Sequence, residues 1–227
     1  MISSRQPLPP LAALVARSWD VARRAFLRGG VIMWPLLACS LLALTIVTQA
    51  RRDARFDGNG LLLTTERQDR SRWHRDEIAE GERLVEAALR RRSPGRYQLQ
   101  AAIAVLNATA ATFADTDWRQ ISALYGELYR FEPTPVVELN RAVAVAFGFG
   151  LDVGLALVDA LVERGELADY HLLHATRGDL LHRLGRGVEA SEAFRTAIAL
   201  TELPAELAYL RGRLDDSTTR RASGPIT

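Results

Sequence analysis

Apolar residues recur every three or four positions along most of the chain after residue 76, which is the spacing of a helix face. The first such face carries Ile78, Gly81, Val85 and Leu89, and it ends in a run of arginines that begins at Arg90. Strict alternation of apolar and polar residues, which would indicate a strand, is not found there. The pattern therefore predicts an all-α protein.

Several helix starts are marked by residues that suit an N-cap. The segment Asp115–Asp117 precedes one helix, and Asp169 is expected to cap a later one. Thr134 followed by Pro135 starts another, because proline at the first helical position loses no hydrogen bond. Four apolar residues of that helix are expected to lie on one face. They are Val136, Leu139, Val143 and Phe147.

Small residues indicate that pairs of helices repeat. Ala144 and Ala156 lie 34 residues before Gly178 and Ala190, which is the period of the tetratricopeptide repeat (TPR). In such repeats small residues let the two helices of a hairpin cross closely. The sequence therefore predicts a TPR-like helical-hairpin solenoid, most clearly over residues 171–204.

Composition shifts suggest three regions. Residues 1–30 are rich in arginine and proline, and we expect a poorly ordered segment or an atypical helix there. Residues 31–214 form the predicted TPR-like α-helical domain, and residues 215–227 form a frayed polar tail.

The stretch Val31–Ala50 carries no charge over twenty residues, enough to span a bilayer. Thr45, Thr48 and Arg52 recur on one helical face, however, so the stretch has a polar stripe. This stripe favours a helix buried among other helices. A membrane anchor and a signal peptide remain the alternatives.

The composition is that of an ordinary globular protein, with 227 residues of which 48% are hydrophobic. The single cysteine, Cys39, excludes an intramolecular disulfide and fits a reducing compartment, so we expect a cytoplasmic protein. All 29 basic residues are arginine, yet 27 acidic residues leave a net charge of only +2. This small excess argues against a surface that binds nucleic acid.

No residue pattern indicates catalysis or a bound metal. A nucleophile elbow, a phosphate loop and a dinucleotide-binding motif are absent from the sequence. His171, His174 and His182 share a helix, but the 1.5 Å rise per residue separates the first and last by about 16 Å. We therefore expect no enzyme activity, no cofactor and no metal site.

Arginines cluster on both sides of a predicted loop over residues 57–65, with Trp73 beside them. Such arginines could hold acidic residues of a partner or stack on bases. The favoured interpretation is internal pairing, with Trp73 packed inward. The expected acidic partners are Glu66, Asp69, Asp76 and Glu77.

Six short motifs occur in order between residues 50 and 175. They are ARRDAR (50–55), QDRSRW (68–73), YQLQAAI (97–103), DTDW (115–118), NRAVA (140–144) and YHLLHA (170–175). Together they closely resemble the TPR-like C-terminal extension of one group of bacterial extracytoplasmic-function (ECF) RNA polymerase sigma factors. The resemblance covers about residues 40–214. Asn107 and His74 depart from it, because the family commonly has histidine and aspartate at those positions.

In that family the extension follows two sigma regions that bind polymerase and read the promoter, and it is thought to regulate them. The thirty residues at the start of this chain cannot hold two such regions, so we expect a truncated or separately encoded version. Direct sequence-specific DNA binding is therefore not expected of this chain.

The resemblance implies a non-catalytic regulatory module of an ECF-type sigma factor. Its expected partners are sigma regions, RNA polymerase or a further regulator, bound in a groove lined by the first helix of each pair. The alternative is a membrane-anchored TPR adaptor that uses residues 31–50. The candidate partner-binding residues are Arg51, Arg52, Arg70, Trp73, Tyr97, Gln100, Trp118, Asn140 and Arg141.

Overall fold

The computed structural model describes residues 33–58, 60, 61, 63–90 and 95–222, with side chains from Ser40 to Thr218 within those ranges. In this part of the chain the fold is all-α, as predicted, and it contains no β-strand. Its helices are α1 (Met33–Gln49), α2 (Arg75–Arg90), α3 (Arg96–Thr109), α4 (Trp118–Phe131), α5 (Pro135–Phe149), α6 (Leu151–Glu163), α7 (His171–Arg183), α8 (Gly187–Ala199) and α9 (Pro204–Ala222). The predicted arginine-rich segment 1–30 lies outside the described residues.

The region that the sequence predicts as one domain is divided into two compact units. The first unit contains helices α1 to α3, and the second contains helices α4 to α9. Residues 53–72, which follow α1 in the sequence, belong to the second unit. We refer to residues 53–72 as the inserted segment.

In the first unit, α1 packs on both α2 and α3. Its buried face includes Ala43, Val47 and Ala50, and the crossing with α2 is so close that a Cβ at Gly81 would overlap the side chain of Val47. The predicted polar stripe lies away from this face, and Thr45 on it is exposed. Among the described residues, no helix combines the length and hydropathy needed to cross a bilayer.

In the second unit, each helix from α4 to α9 packs on the next, and α5 and α9 also contact α7. The pairs α5–α6 and α7–α8 form two helical hairpins. One core cluster runs through both hairpins and reaches α9; its largest buried members are Phe194, Leu161, Leu173, Leu180, Leu181 and Leu210.

The burial pattern of the first hairpin recurs 36 residues later in the second hairpin. Matching buried positions are Ala142 and Gly178, Gly154 and Ala190, Val158 and Phe194, and Leu161 and Ala197. The predicted offset of 34 is wrong for the second helix of each pair, because Ala156 is exposed. Gly154 makes the close crossing instead: a Cβ there would lie 2.6 Å from Cα of Ala146.

Two predicted N-caps are confirmed and one is wrong. Asp117 Oδ1 accepts from the backbone N–H of Gln120 at 2.9 Å, and Thr134 Oγ1 accepts from that of Val137 at 3.4 Å. The helix α7 begins after Tyr170, and no side chain caps it, so Asp169 does not have the predicted role.

The last helix continues beyond the predicted start of the polar tail at residue 215. It ends at Ala222, and Ser217 within it is fully buried. The Oγ atom of Ser217 lies 2.8 Å from Oγ of Ser191 in α8. Because this polar contact and the packing on α8 hold the helix, its polar sequence does not fray there.

Candidate partner-binding face of the second unit

The helix α5 carries large apolar side chains on its outer side as well as in the core. Leu139 is buried, but Val136 is 39% exposed, and Val143 and Phe147 are only half-buried. The four residues predicted to face one way lie on one side of the helix, but only Leu139 among them is buried. Where α5 crosses α6 at Gly154, its core side carries Ala142 and Ala146, because the close crossing leaves no room for larger side chains there.

These larger side chains belong to a stripe that is repeated on the neighbouring helix. On α5 it consists of Val136, Asn140, Val143 and Phe147, at the spacing of one helix face. On α7 the positions 36 residues later are Leu172, Thr176, Asp179 and Arg183. The helices contact each other, and the Arg183 guanidinium lies 5.1 Å from the centre of the Phe147 ring. We refer to these eight residues as the inner face.

An ion network occupies the end of the inner face near Phe147. Arg183 donates from Nε to Oδ2 of Asp179 at 2.8 Å and through both terminal nitrogens to the carboxylate of Glu66 in the inserted segment. Arg213 of α9 donates to the other oxygen of Asp179. We refer to Glu66, Asp179, Arg183 and Arg213 as the Arg183 cluster.

The electrostatics of this cluster keep Arg183 charged. Partial burial acts to lower the pKa of the Arg183 guanidinium, but the bonds to Glu66 and Asp179 outweigh it, so the pKa is raised. Burial also raises the pKa of Tyr209 on α9, and the negative charge of Asp179 adds to that shift. The cluster thus holds a fixed guanidinium fork, a group suited to bidentate recognition of a carboxylate.

Trp118, which the sequence predicts as a partner-binding residue, packs against Phe147 at this end of the inner face. Its ring centre lies 5.1 Å from that of Phe147, whose ring also contacts the Arg183 guanidinium. The next residue, Arg119, donates from Nε to the carbonyl oxygen of Gly148 at 2.9 Å. The DTDW motif therefore fixes the end of α5, and half-buried Trp118 acts as a packing residue there.

The opposite end of the inner face is open. It presents Val136 and Leu172, which are 39% and 44% exposed, beside exposed Asn140 and half-buried Thr176. An apolar surface with amide and hydroxyl groups suits a protein segment better than a polyanion. Asn140, which the sequence predicts as a partner-binding residue, lies at this open end of the inner face.

Arg141 lies beside the inner face, against Gly126 of α4. Its counterpart 36 residues later, Arg177, donates from Nε to Oδ1 of Asp159 at 2.7 Å. Arg141 is exposed, and no carboxylate of the described residues forms an ion pair with it. It is a cation available to a partner.

In the first unit, Trp73 is packed inward, as the favoured interpretation expects. It is 3% exposed, and the Arg51 guanidinium lies 5.7 Å from its ring centre. Arg52 donates to Oε2 of Glu77 at 2.7 Å, which confirms one expected internal pair. These contacts leave little of Trp73 for a partner.

Two other expected pairs within the arginine clusters are not formed. Glu66 pairs with the distant Arg183. Asp69 accepts from the hydroxyl and the backbone N–H of Ser71, which lowers the pKa of its carboxyl group. Arg70, a candidate partner-binding residue, is only 7% exposed.

Tyr97 and Gln100 lie on α3 in the first unit, whereas Asn140 and Arg141 lie in the second. Tyr97 Oη accepts from Arg96 at 2.7 Å, and both Tyr97 and Gln100 are half-buried. These four candidate partner-binding residues are thus divided between two units, and only Asn140 of them lies on the inner face.

The histidines of α7 have separate local contacts. Nε2 of His171 lies 3.0 Å from Oε2 of Glu206, and Nε2 of His174 lies 2.8 Å from the carbonyl oxygen of Ala168. Among the described residues, no three histidine, cysteine or acidic side chains are grouped so that they could hold a metal ion.

Sequence reasoning did not find the Arg183 cluster. Asp179 and Arg183 are four residues apart on one helix face, a spacing that offered a signal for this pair. Glu66 lies 117 residues from Arg183, and nothing in the sequence connects them.

Comparison with known proteins gives two matches. The model of a family of unknown function, DUF6596, matches residues 36–89. An uncharacterized protein of Rhizobium meliloti (strain 1021) is 47% identical over 175 residues, which make up 77% of this chain and 41% of that protein. The chain therefore spans about two-fifths of the length of the curated relative it matches. No solved structure matches the chain.

Proposed function

We propose that this chain is a non-catalytic regulatory module of an ECF-type sigma factor that acts in the cytoplasm. In this proposal the second unit is a TPR-like solenoid whose inner face binds sigma regions, RNA polymerase or a further regulator. The six ordered motifs support it, because their resemblance to the sigma-factor extension covers both units.

The packing of the second unit supports the TPR-like assignment. Two hairpins repeat the same burial pattern, and the first helices of successive pairs contact each other. Glycines at positions 154 and 178 allow the close crossings that such repeats need. In a helical-repeat protein, the surface formed by the first helices of the pairs is an extended binding surface.

The open end of the inner face is the observation that carries the proposal. Val136 and Leu172 are large apolar side chains that occupy equivalent, exposed positions on two neighbouring helices, with Asn140 one turn away. A repeated apolar stripe with a polar neighbour is typical of a surface that holds a protein segment.

The Rhizobium relative offers a direct test, because about three-fifths of it lies outside the matched region. The proposal predicts that this remainder contains the partner regions. It would be produced separately and titrated with the present chain by isothermal calorimetry. The relative's own matched region serves as the positive control.

We expect a saturable complex that weakens by about tenfold in N140A/R141A, as substitutions at a binding hot spot do. The matched control is R195A, which removes an exposed arginine of α8 away from the inner face. Circular dichroism would check that both variants keep the helical content of the parent chain. Absence of a complex with the present chain, when the relative's own matched region binds, contradicts the proposal.

A further inference from the structure

We infer that the Arg183 cluster is a receptor for a carboxylate side chain of a partner, and that Glu66 occupies this receptor in the free chain. The inference rests on the proposed function, since it names the chemistry of the segment that the inner face binds. The partner segment would be acidic. The inserted segment would then act as an internal competitor for it.

The receptor is arranged before any partner arrives. Asp179 fixes the Arg183 fork through Nε, and Arg213 holds the second oxygen of Asp179. The Phe147 ring supports the guanidinium at 5.1 Å. Without Glu66, the two terminal nitrogens of Arg183 would lose the carboxylate to which they donate, while Nε would stay bonded to Asp179.

The inserted segment places the Glu66 carboxylate on Arg183, where the carboxylate of a partner would bind. The segment folds back on itself, since the backbone N–H of Leu63 donates to Arg55 at 2.8 Å and Nε2 of Gln68 donates to the carbonyl oxygen of Leu63 at 3.0 Å. Glu66 then reaches α7 through its side chain. Glu66 itself lies outside every helix of the described residues, so its side chain can leave the face without breaking one.

The position on Arg183 that the Glu66 carboxylate occupies can be reached from solvent. The side chain of Glu66 is 39% exposed and that of Arg183 is 26% exposed. A pair exposed to this extent gives only modest stabilisation, so a competing carboxylate can replace Glu66 at low cost.

The charges around this position on Arg183 favour the binding of a single carboxylate over that of a nucleic acid. Asp179 and Asp216 both lie within ion-pair distance of Arg213, and their negative charges would repel a continuous phosphate backbone. The open end, with Val136 and Leu172, continues the face away from the cluster. A partner segment would thus place apolar side chains there and an acidic side chain on Arg183.

The test uses the full chain and a fluorescent peptide with the sequence of residues 63–70. Fluorescence anisotropy would compare the wild type with E66Q, in which the internal carboxylate is lost. We expect the peptide to bind E66Q about tenfold more tightly, because the internal segment competes at a high effective concentration in the wild type. A peptide with glutamine in place of its glutamate should bind neither chain.

A matched control is E138Q, which removes a carboxylate from another ion pair of the same unit, with Arg164, and should behave as the wild type does. The variants E66Q/R183Q and E66Q/R183K should both lose peptide binding, since lysine keeps the charge but not the fork. R183K keeps the test valid if R183Q does not fold. Equal binding to the wild type and E66Q, or equal binding of both peptides, overturns the inference.

This experiment contains no sigma region or polymerase. A failure would therefore refute the carboxylate receptor and leave the proposed function to its own test. Failure of the complex with the Rhizobium remainder would in turn leave the peptide result intact.

Discussion

The ring of Phe194 lies directly against the backbone of Gly178. A Cβ at Gly178 would lie 2.8 Å from Cε1 and 2.9 Å from Cδ1 of that ring, which is fully buried between α7 and α8. In the preceding hairpin, Gly154 meets α5 in a similar way, since a Cβ added there would lie 2.7 Å from the carbonyl oxygen of Ala142. Both hairpins thus depend on a position without a side chain.

Substitution of either glycine by alanine should destabilise the second unit. We expect G178A to lower the free energy of unfolding by about 1–3 kcal/mol, the usual cost of overpacking a core. G154A should cost more, because the clash is with the backbone of α5 and not with a ring. The measurement is the midpoint of urea denaturation followed by circular dichroism.

The control is G212A in α9, where an added Cβ would meet no atom within 4 Å. Alanine favours a helix over glycine, so G212A should stabilise the chain by up to about 1 kcal/mol. If G178A were as stable as G212A, the close crossing of α7 and α8 would be wrong.

Loss of the Asp179 carboxylate should destabilise the second unit without changing its fold. D179N leaves Arg213, whose side chain is only 9% exposed, without its main carboxylate partner. We expect a loss of about 2 kcal/mol, somewhat below the cost of breaking a fully buried pair. Thermal unfolding compares it with E80Q, which breaks an exposed pair with Arg83 on α2 and should change stability by less than about 1 kcal/mol.

The N-cap of α4 gives a third prediction. D117A removes the acceptor of the Gln120 N–H and should cost about 1 kcal/mol of stability. D115A removes a carboxylate that bonds only Thr112 in the preceding loop, so its effect should be smaller. Equal losses in chemical denaturation would show that Asp117 does not act as the cap.

Promoter DNA provides a fourth prediction. We expect this chain to bind promoter and scrambled duplexes equally weakly, since a specific reader must present side chains to base edges. Any affinity should come from arginines and fall steeply between 50 and about 200 mM salt. Tight binding at about 150 mM salt that distinguishes a promoter would contradict this prediction.

The helix pattern predicted local structure well where burial follows from one helix alone. All four residues of the predicted stripe on α2, from Ile78 to Leu89, are buried. On α5 the predicted face is only partly buried, because a stripe of large apolar residues marks either a core or a binding surface. Which of the two it marks is decided by the neighbour, here the alanines that pack at the close crossing with α6.

The candidate site was predictable only in part. Asn140 could be placed on the inner face from its motif and its helix, and the spacing of four residues predicts that Asp179 and Arg183 meet on one helix. The pairing of Glu66 with Arg183 depends on where a loop returns to the fold, and composition and periodicity carry no information about that. The same holds for the repeat length, since the offset of 36 includes the connection between α6 and α7 over residues 164–170.

The placement of the inserted segment also bears on how such a protein can be divided or inherited. Residues 53–72 belong to the second unit although the first unit surrounds them in the sequence, so neither unit corresponds to one continuous stretch of gene. A recombination event or an expression boundary near residue 116 would separate Glu66 from Arg183. The stretch matched by the family model, 36–89, likewise carries part of each unit. In this protein, the stretch matched by the family model and the units that fold are different pieces of the chain.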